Sequence, residues 1–200
     1  MRTITLLLLL SAPALAFAQT SADEVSYHYL SLGLSKVNYD VPGPNLEGSG
    51  LSLEYSVEAR KHIHLFAAYD AFDFDDAGSA DGDRRAFGVG TQFAPAQRFS
   101  IYGRVGYLDQ DIDVGAGNVD DDGGLLEAGL RYEIGQGWEI RGAAQQVFLD
   151  KAGNDTYFKI GGDLRLTDAI ALSLDANDRD GSTAVVLGLR FYFDKQNDPQ

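Results

Sequence analysis

The residues of this 200-residue chain that could do chemistry are 3 histidines, 30 acids and 16 bases; there is no cysteine. Without a thiol there is neither a thiolate nucleophile nor a disulfide framework. His62 and His64 stand two apart in a segment that alternates like a strand, so both fall on one face. Two such imidazoles can begin a metal site, but no third ligand stands beside them. His28 stands alone. A serine–histidine–acid triad is defined by geometry rather than by composition, and no spacing here suggests one. No glycine-rich segment has the strand-to-helix setting that cradles a phosphate.

The carboxylates are clustered. Most of the 30 acids fall in five segments, 38–49, 70–85, 109–124, 150–156 and 175–182, opposed there only by Arg84, Arg85, Lys151 and Arg179. Clustered carboxylates with backbone carbonyls are what calcium or magnesium accepts. Asp73, Asp75, Asp76, Asp109, Asp111, Asp113, Asp120, Asp121 and Asp122 are therefore candidates for weak calcium or magnesium sites. The plainer reading is a set of solvated loops kept soluble by charge. The spacing is not that of an EF-hand, because D-x-[DN]-x-[DN]-G fails after Asp111 and Asp113. No other cofactor is expected. A net charge of −14 would repel phosphates and excludes nucleic acid as a partner.

The elements that must position these groups follow from the order of the chain. Met1-Arg2, the apolar run Leu6 to Leu10 and the ending Ala16-Phe17-Ala18 form a secretory signal peptide. Its cleavage after Ala18 and export through the Sec pathway are expected. No later segment approaches the roughly 20 apolar residues of a spanning helix. A membrane position would then require a closed barrel, since unpaired backbone groups cannot face lipid. The dominant hydrophobic period is two, as in Leu51-Ser52-Leu53-Glu54-Tyr55-Ser56-Val57-Glu58-Ala59. The pattern predicts ten strands: 25–37, 50–59, 62–71, 86–93, 99–108, 125–134, 138–148, 156–166, 169–174 and 183–193. Short turns alternate with long segments rich in Gly, Asp and Asn. An even strand count with short turns on one side and long loops on the other is the plan of a bacterial outer-membrane barrel. The expected fold is all-β, a closed antiparallel transmembrane barrel of ten strands, or eight if the short ninth segment is a loop. It occupies 19–193, with a periplasmic tail over 194–200.

Three features orient the faces. On the apolar face, Phe93, Phe99, Tyr132, Trp138, Phe191 and Phe193 lie at the short-turn ends, and Tyr69, Phe87, Tyr107, Phe148 and Phe158 at the long-loop ends. Two aromatic girdles around an aliphatic band are the signature of a membrane interface. The opposite face carries small residues such as Ser31, Gly33, Ser52, Ser56, Gly88, Gly90, Gly129 and Gly161, which suit the inside of a narrow barrel. That face also carries Glu54, Glu58, Glu127, Glu133, Glu139 and Asp163 against Arg104, Arg131, Arg141, Lys159, Arg165 and Arg190. Six acids facing six bases predict enclosed ion pairs, because a buried charge without a partner is costly.

The final segment, Leu187-Gly188-Leu189-Arg190-Phe191-Tyr192-Phe193, resembles the last-strand signal by which outer-membrane barrels are recognised for assembly. With Tyr102-Gly103-Arg104-Val105-Gly106-Tyr107, the chain from Val25 to Phe193 resembles the small Gram-negative outer-membrane barrels of the opacity-protein-like and OmpA-like membrane-domain type. Compact xanthomonad-type barrels are especially similar. The tail 194–200 departs from relatives that stop at the terminal aromatic. The resemblance implies an outer-membrane location and, as partners, outer-membrane lipid, lipopolysaccharide and the barrel-assembly machinery, with a monomeric protein. Outer-membrane proteases of this type carry a histidine near the outer rim, and lipid A-deacylating barrels a histidine close to a serine. Neither pattern occurs here. The expected function is a non-catalytic surface protein in adhesion, envelope integrity or environmental interaction. A narrow porin-like channel is the alternative, and a lipid A-modifying enzyme a third.

Overall fold

The computed structural model describes residues 26–39, 46–74, 80–96, 98–113, 118–135, 137–151, 153–179 and 181–193. The expected signal peptide, the tail 194–200, and Asp75 and Asp76 lie outside them. Ten strands follow one another: β1 (Tyr29–Tyr39), β2 (Leu46–Arg60), β3 (Ile63–Phe74), β4 (Ala80–Ala96), β5 (Phe99–Asp113), β6 (Asn118–Gly135), β7 (Trp138–Leu149), β8 (Gly153–Arg165), β9 (Ile170–Arg179) and β10 (Ser182–Tyr192). Each pairs antiparallel with its neighbours, and β1 closes on β10 from Tyr29↔Tyr192 to Tyr39↔Ser182. The barrel has ten strands, not eight.

The strands outrun the apolar alternation that reveals them. β9 continues past Leu174 to Arg179, pairing Asp175 with Gly161 on one side and Val186 on the other. Segments expected as acidic loops, 72–85 and 109–124, are largely ladder: β3 runs to Phe74, β4 starts at Ala80, β5 ends at Asp113 and β6 starts at Asn118. A backbone ladder bonds N–H to C=O whatever the side chain, so it persists where hydrophobic patterning has stopped. The first strand departs the other way. Among the described residues the wall begins at Tyr29, and Ser26–Tyr27 turns into the lumen against Arg131 and Ser100; Val25, the expected start, lies outside them.

The face assignment holds. Leu34, Leu51, Val89, Val105, Leu126, Leu130, Ile160, Leu174 and Leu187 are exposed on the exterior. Phe87, Phe93, Tyr107, Tyr132, Trp138, Phe148 and Phe158 are exposed at the ends of that band. Tyr69, Phe99, Phe191 and Phe193 are half-buried beside them. Inside, Phe66, Leu108, Leu125, Val147, Leu149 and Tyr157 form an apolar cluster, so the lumen is not filled by charge alone. His62 is not on the inward face beside His64. It sits exposed in the β2–β3 turn at φ 68°, and the pair needed for a metal does not form.

The exterior yields a depth test. Leu187 and Thr183 lie on the same outward face of β10, the first in the apolar band and the second at its long-loop end. Leu187→Arg is expected to lose about 2–4 kcal/mol of folding free energy and Thr183→Arg about 0–1. Denaturant titration of refolded protein, followed by heat-modifiable gel mobility, measures both. Equal losses would contradict the assigned face.

Candidate functional site

The lumen gathers buried titratable and aromatic side chains from every part of the described wall. Period-two alternation delivers them, since every second residue of each strand points inward. Three ion-pair groups occupy the floor and middle of the lumen, with Arg84–Asp70 and Arg179–Asp155 toward the long-loop end. In the first, Arg104 of β5 reaches across to β2, donating from Nη1 to Glu54 Oε1 at 2.8 Å. It donates from Nη2 to the Tyr29 hydroxyl at 2.9 Å, and Tyr29 in turn donates to Glu54 at 2.8 Å. Glu127 lies 3.6 Å from Arg104 and accepts from Lys159 Nζ at 2.7 Å. In the second, Asp163 accepts at Oδ2 from Arg190 Nη1 at 2.7 Å and from the Tyr192 hydroxyl at 2.9 Å. Its Oδ1 lies 2.8 Å from Arg141 Nη1. Arg141 also grips Asp175, with Nη2 2.6 Å from both carboxylate oxygens. In the third, Arg131 holds Glu139 in a two-bond fork at 2.7 and 3.0 Å. Such forks are the strong form of charge-assisted pairing.

Tyrosine joins these groups. The Tyr29 ring lies 4.4 Å from the Arg190 guanidinium and 5.8 Å from that of Arg131. Its hydroxyl belongs to the Arg104–Glu54 group. One side chain therefore touches all three, by cation–π contact and by hydrogen bond. Arg165 packs over Tyr192 at 4.8 Å.

Glycine makes room. His64, Gly90 and Arg104 lie in one row across β3, β4 and β5, and so do Arg141, Gly161 and Asp175 across β7, β8 and β9. In each row the outer two meet over the glycine: Arg104 Nε donates to His64 Nε2 at 3.2 Å, and Arg141 forks onto Asp175. A Cβ on Gly90 would collide with the His64 ring, and one on Gly161 with the Asp175 carboxylate.

Of the twelve predicted lumen charges, Glu54, Arg104, Glu127, Arg131, Glu139, Arg141, Lys159, Asp163 and Arg190 form this network. Glu58 stands opposite His64 in the register. Glu133 stands opposite Glu139 at the short-turn end and makes no ion pair with another described residue. Arg165 is held by the tyrosine ring. Asp70 and Asp175 belong to the lumen, not to the acidic loops: Asp70 accepts from Ser52 and from Arg84 at 2.9 Å. The tyrosines 27, 29, 102 and 192 also belong to the site. Parity with Ser31, Arg104 and Arg190 was the signal that could have found them.

The acidic candidates sit elsewhere. Asp73, Asp109, Asp111, Asp113, Asp120 and Asp122 are on the outward face of β3, β5 and β6, beyond the aromatic girdle. Asp109 is 3.6 Å from Arg85, and Asp122 accepts from Tyr107 at 2.7 Å. Asp121 turns inward, fully buried, and accepts from the Lys151 amide. Among the described residues, no three His, Cys, Asp or Glu come together as a metal centre.

At the short-turn mouth the lumen is floored. Tyr27, Tyr29, Arg131, Glu139, Asp163, Arg190 and Tyr192 are all buried there. Above this floor is a cavity of about 140 Å³, whose lining runs from Tyr27 up through Glu54 and Lys159 to Asp70 and Arg84.

A model of the outer membrane protein β-barrel domain matches residues 3–193. No curated protein matches the chain. Among solved structures, the N-terminal β-barrel domain of Pseudomonas aeruginosa OprF is 14% identical, with a TM-score of 0.45, over 83% of this chain and 98% of that one. Neisserial surface protein A is 11% identical, with a TM-score of 0.42, over 84% and 98%. The β domain of the Bordetella autotransporter BrkA is 13% identical, with a TM-score of 0.48, over 82% and 98%.

The network predicts an asymmetry between breaking a pair and replacing it. Arg131→Ala strands the buried Glu139 carboxylate, and a loss of about 3–5 kcal/mol is expected. Arg131→Met combined with Glu139→Leu removes both charges and should lose clearly less. The temperature at which the folded gel band converts to the unfolded one compares them; equal losses would mean that Glu139 does not need its partner.

Proposed function

Because the chain belongs to the outer membrane protein β-barrel family, we propose that it is a non-catalytic surface protein whose lumen is closed and whose work is done at the acidic outer rim. The observation that carries this reading is the buried floor. Arg131, Glu139, Asp163 and Arg190 are each no more than 3% exposed, and three tyrosines fill the space between them. A layer of buried, mutually paired charges is a poor path for ions, because a passing ion would have to displace those pairs.

The outer rim supports the other half. On β3 to β6, Asp73, Asp81 and Asp113 lie in one cross-strand row, and Asp83, Asp111 and Asp120 in another. Directly opposed like charges destabilise a sheet. Their presence on an extended wall fits a surface selected for what it meets outside the membrane: cations, polar headgroups or a basic partner. The histidines support a non-catalytic reading. His64 is packed among Tyr27 and Arg104, His62 is in a turn, and the hydroxyls of Ser56 and Ser100 are engaged with Tyr27. Export through the Sec pathway and lipopolysaccharide as the surrounding lipid belong to the same proposal.

The cavity above the floor favours a second reading, a narrow channel. Planar-bilayer recording on purified, refolded protein separates the two. Little or no current is expected. Large, stable, cation-selective steps would replace the closed reading with a channel whose acidic rim gathers cations. The rim has its own check: Asp111→Asn with Asp113→Asn and Asp120→Asn should leave folding intact and reduce adherence of expressing cells to a cationic surface. Unchanged adherence would remove the rim from the function.

A further inference from the structure

We propose that the residues Ser26–Tyr27 are the movable gate of this barrel, a plug that seals the short-turn end of the lumen and whose withdrawal joins the cavity to the periplasmic side. The proposal rests on the closed-lumen reading and names the part that closes it. The argument is one of attachment. Tyr29, Arg131, Glu139, Asp163, Arg190 and Tyr192 also form the floor, but each sits on a strand bonded to neighbours on both sides. Ser26 and Tyr27 precede the first ladder pair, Tyr29↔Tyr192. The chain is tied to the wall at the next residue, where the His28 carbonyl accepts from the Phe193 amide at 3.0 Å. That point is the hinge.

The plug crosses the lumen. β1 neighbours β2 and β10, yet the Tyr27 hydroxyl shares a 2.9 Å hydrogen bond with Ser100 of β5. Its ring stacks on His64 of β3 at 4.8 Å and meets Tyr102 of β5 edge-on at 5.9 Å. The Arg131 guanidinium of β6 lies 4.6 Å from the ring and donates to the Ser26 carbonyl at 2.7 Å. Ser56 of β2 donates to the Tyr27 carbonyl at 2.7 Å. The seat thus runs from β2 round to β6, and Tyr27 is 1% exposed in it. Among the described residues every tie is a single side-chain bond or a ring contact. None belongs to a ladder, so the segment can leave without breaking a strand. The ring is also part of the lining of the cavity above. When it leaves, cavity and periplasm connect along the inner side of β3 and β5.

The test is bilayer recording on the refolded mature chain as wild type, Tyr27→Ala, Tyr27→Phe and Ser100→Ala, each checked for folding by heat-modifiable mobility. Wild type is expected to be silent or to open rarely. Tyr27→Ala raises open probability by about tenfold or more, a shift of about 1.4 kcal/mol. Tyr27→Phe and Ser100→Ala, which keep the ring and lose one hydroxyl contact, raise it less. Because the chain has no cysteine, Tyr27→Cys carries a single thiol. A membrane-impermeant thiol reagent added on the periplasmic side should modify it in step with opening and hold the barrel open. A silent wild type beside equally silent, folded variants overturns the gate and leaves the closed reading standing. Steady wild-type currents overturn the closed reading and the gate with it.

Discussion

A barrel that turns its apolar residues toward lipid has no hydrophobic core of the usual kind to hold it together. Leu34, Leu51, Val105, Leu126 and Leu187 all face outward. What remains inside must fill the space and must leave no charge alone, because an isolated ion in a low-dielectric interior costs several kcal/mol. Matched charge is the constraint on which the rest of this structure depends. It explains why Asp163 faces both Arg190 and Arg141, and why Glu127 lies between Arg104 and Lys159. It also explains the tyrosines. A ring face takes an arginine and the hydroxyl takes a carboxylate, so one tyrosine satisfies two charges of opposite sign without adding one of its own.

The two ends of the lumen meet this constraint differently. Toward the long-loop end, Leu108, Leu125, Val147 and Leu149 fill part of the interior with apolar bulk, and the carboxylates of β4 to β6 there, the buried Asp121 apart, stand on the outward face. Toward the short-turn end there is little apolar bulk, and pairs and rings close the lumen instead. The cavity lies between these regimes, where neither packing mode fills the cross-section. Its place is consistent with a ten-stranded circumference, wide enough that side chains from opposite walls meet at some levels and fall short at others.

Much of the fold was legible because a membrane barrel repeats one rule along every strand. Alternation located all ten strands, the girdles set the outward face, and charge balance found nine of the paired lumen groups. Strand ends were not legible. Asp109-Gln110-Asp111-Ile112-Asp113 has turn-like composition, and only the partner strand shows that it stays in the ladder. The same blindness put Asp70 and Asp175 in the loops. His62 was misplaced by one residue of register at the β2–β3 turn, where pairing shifts between Glu58 and Arg60. A shift of one residue moves a side chain to the other face or out of the sheet. Tyr27 was hidden for another reason: parity puts it on the inner face, but nothing local says that the chain leaves the wall there to cross the lumen.

The pairing pattern bears on how the barrel can move. The Arg131–Glu139 fork, Arg141 with Asp163 and Arg84 with Asp70 join adjacent strands of the wall. Arg141 to Asp175, Lys159 to Glu127 and Arg190 to Asp163 each step over one strand, and Arg104 to Glu54 steps over two. Pairs that skip a strand resist shear between neighbours, because sliding any one ladder by a residue would stretch a contact on both sides of it. The glycines at 90 and 161 let the skipping pairs lie flat against the wall and draw three strands together. Shearing such a wall would break buried ion pairs, a costly way to open the lumen. Among the described residues, Ser26 and Tyr27 reach across the lumen without belonging to a ladder.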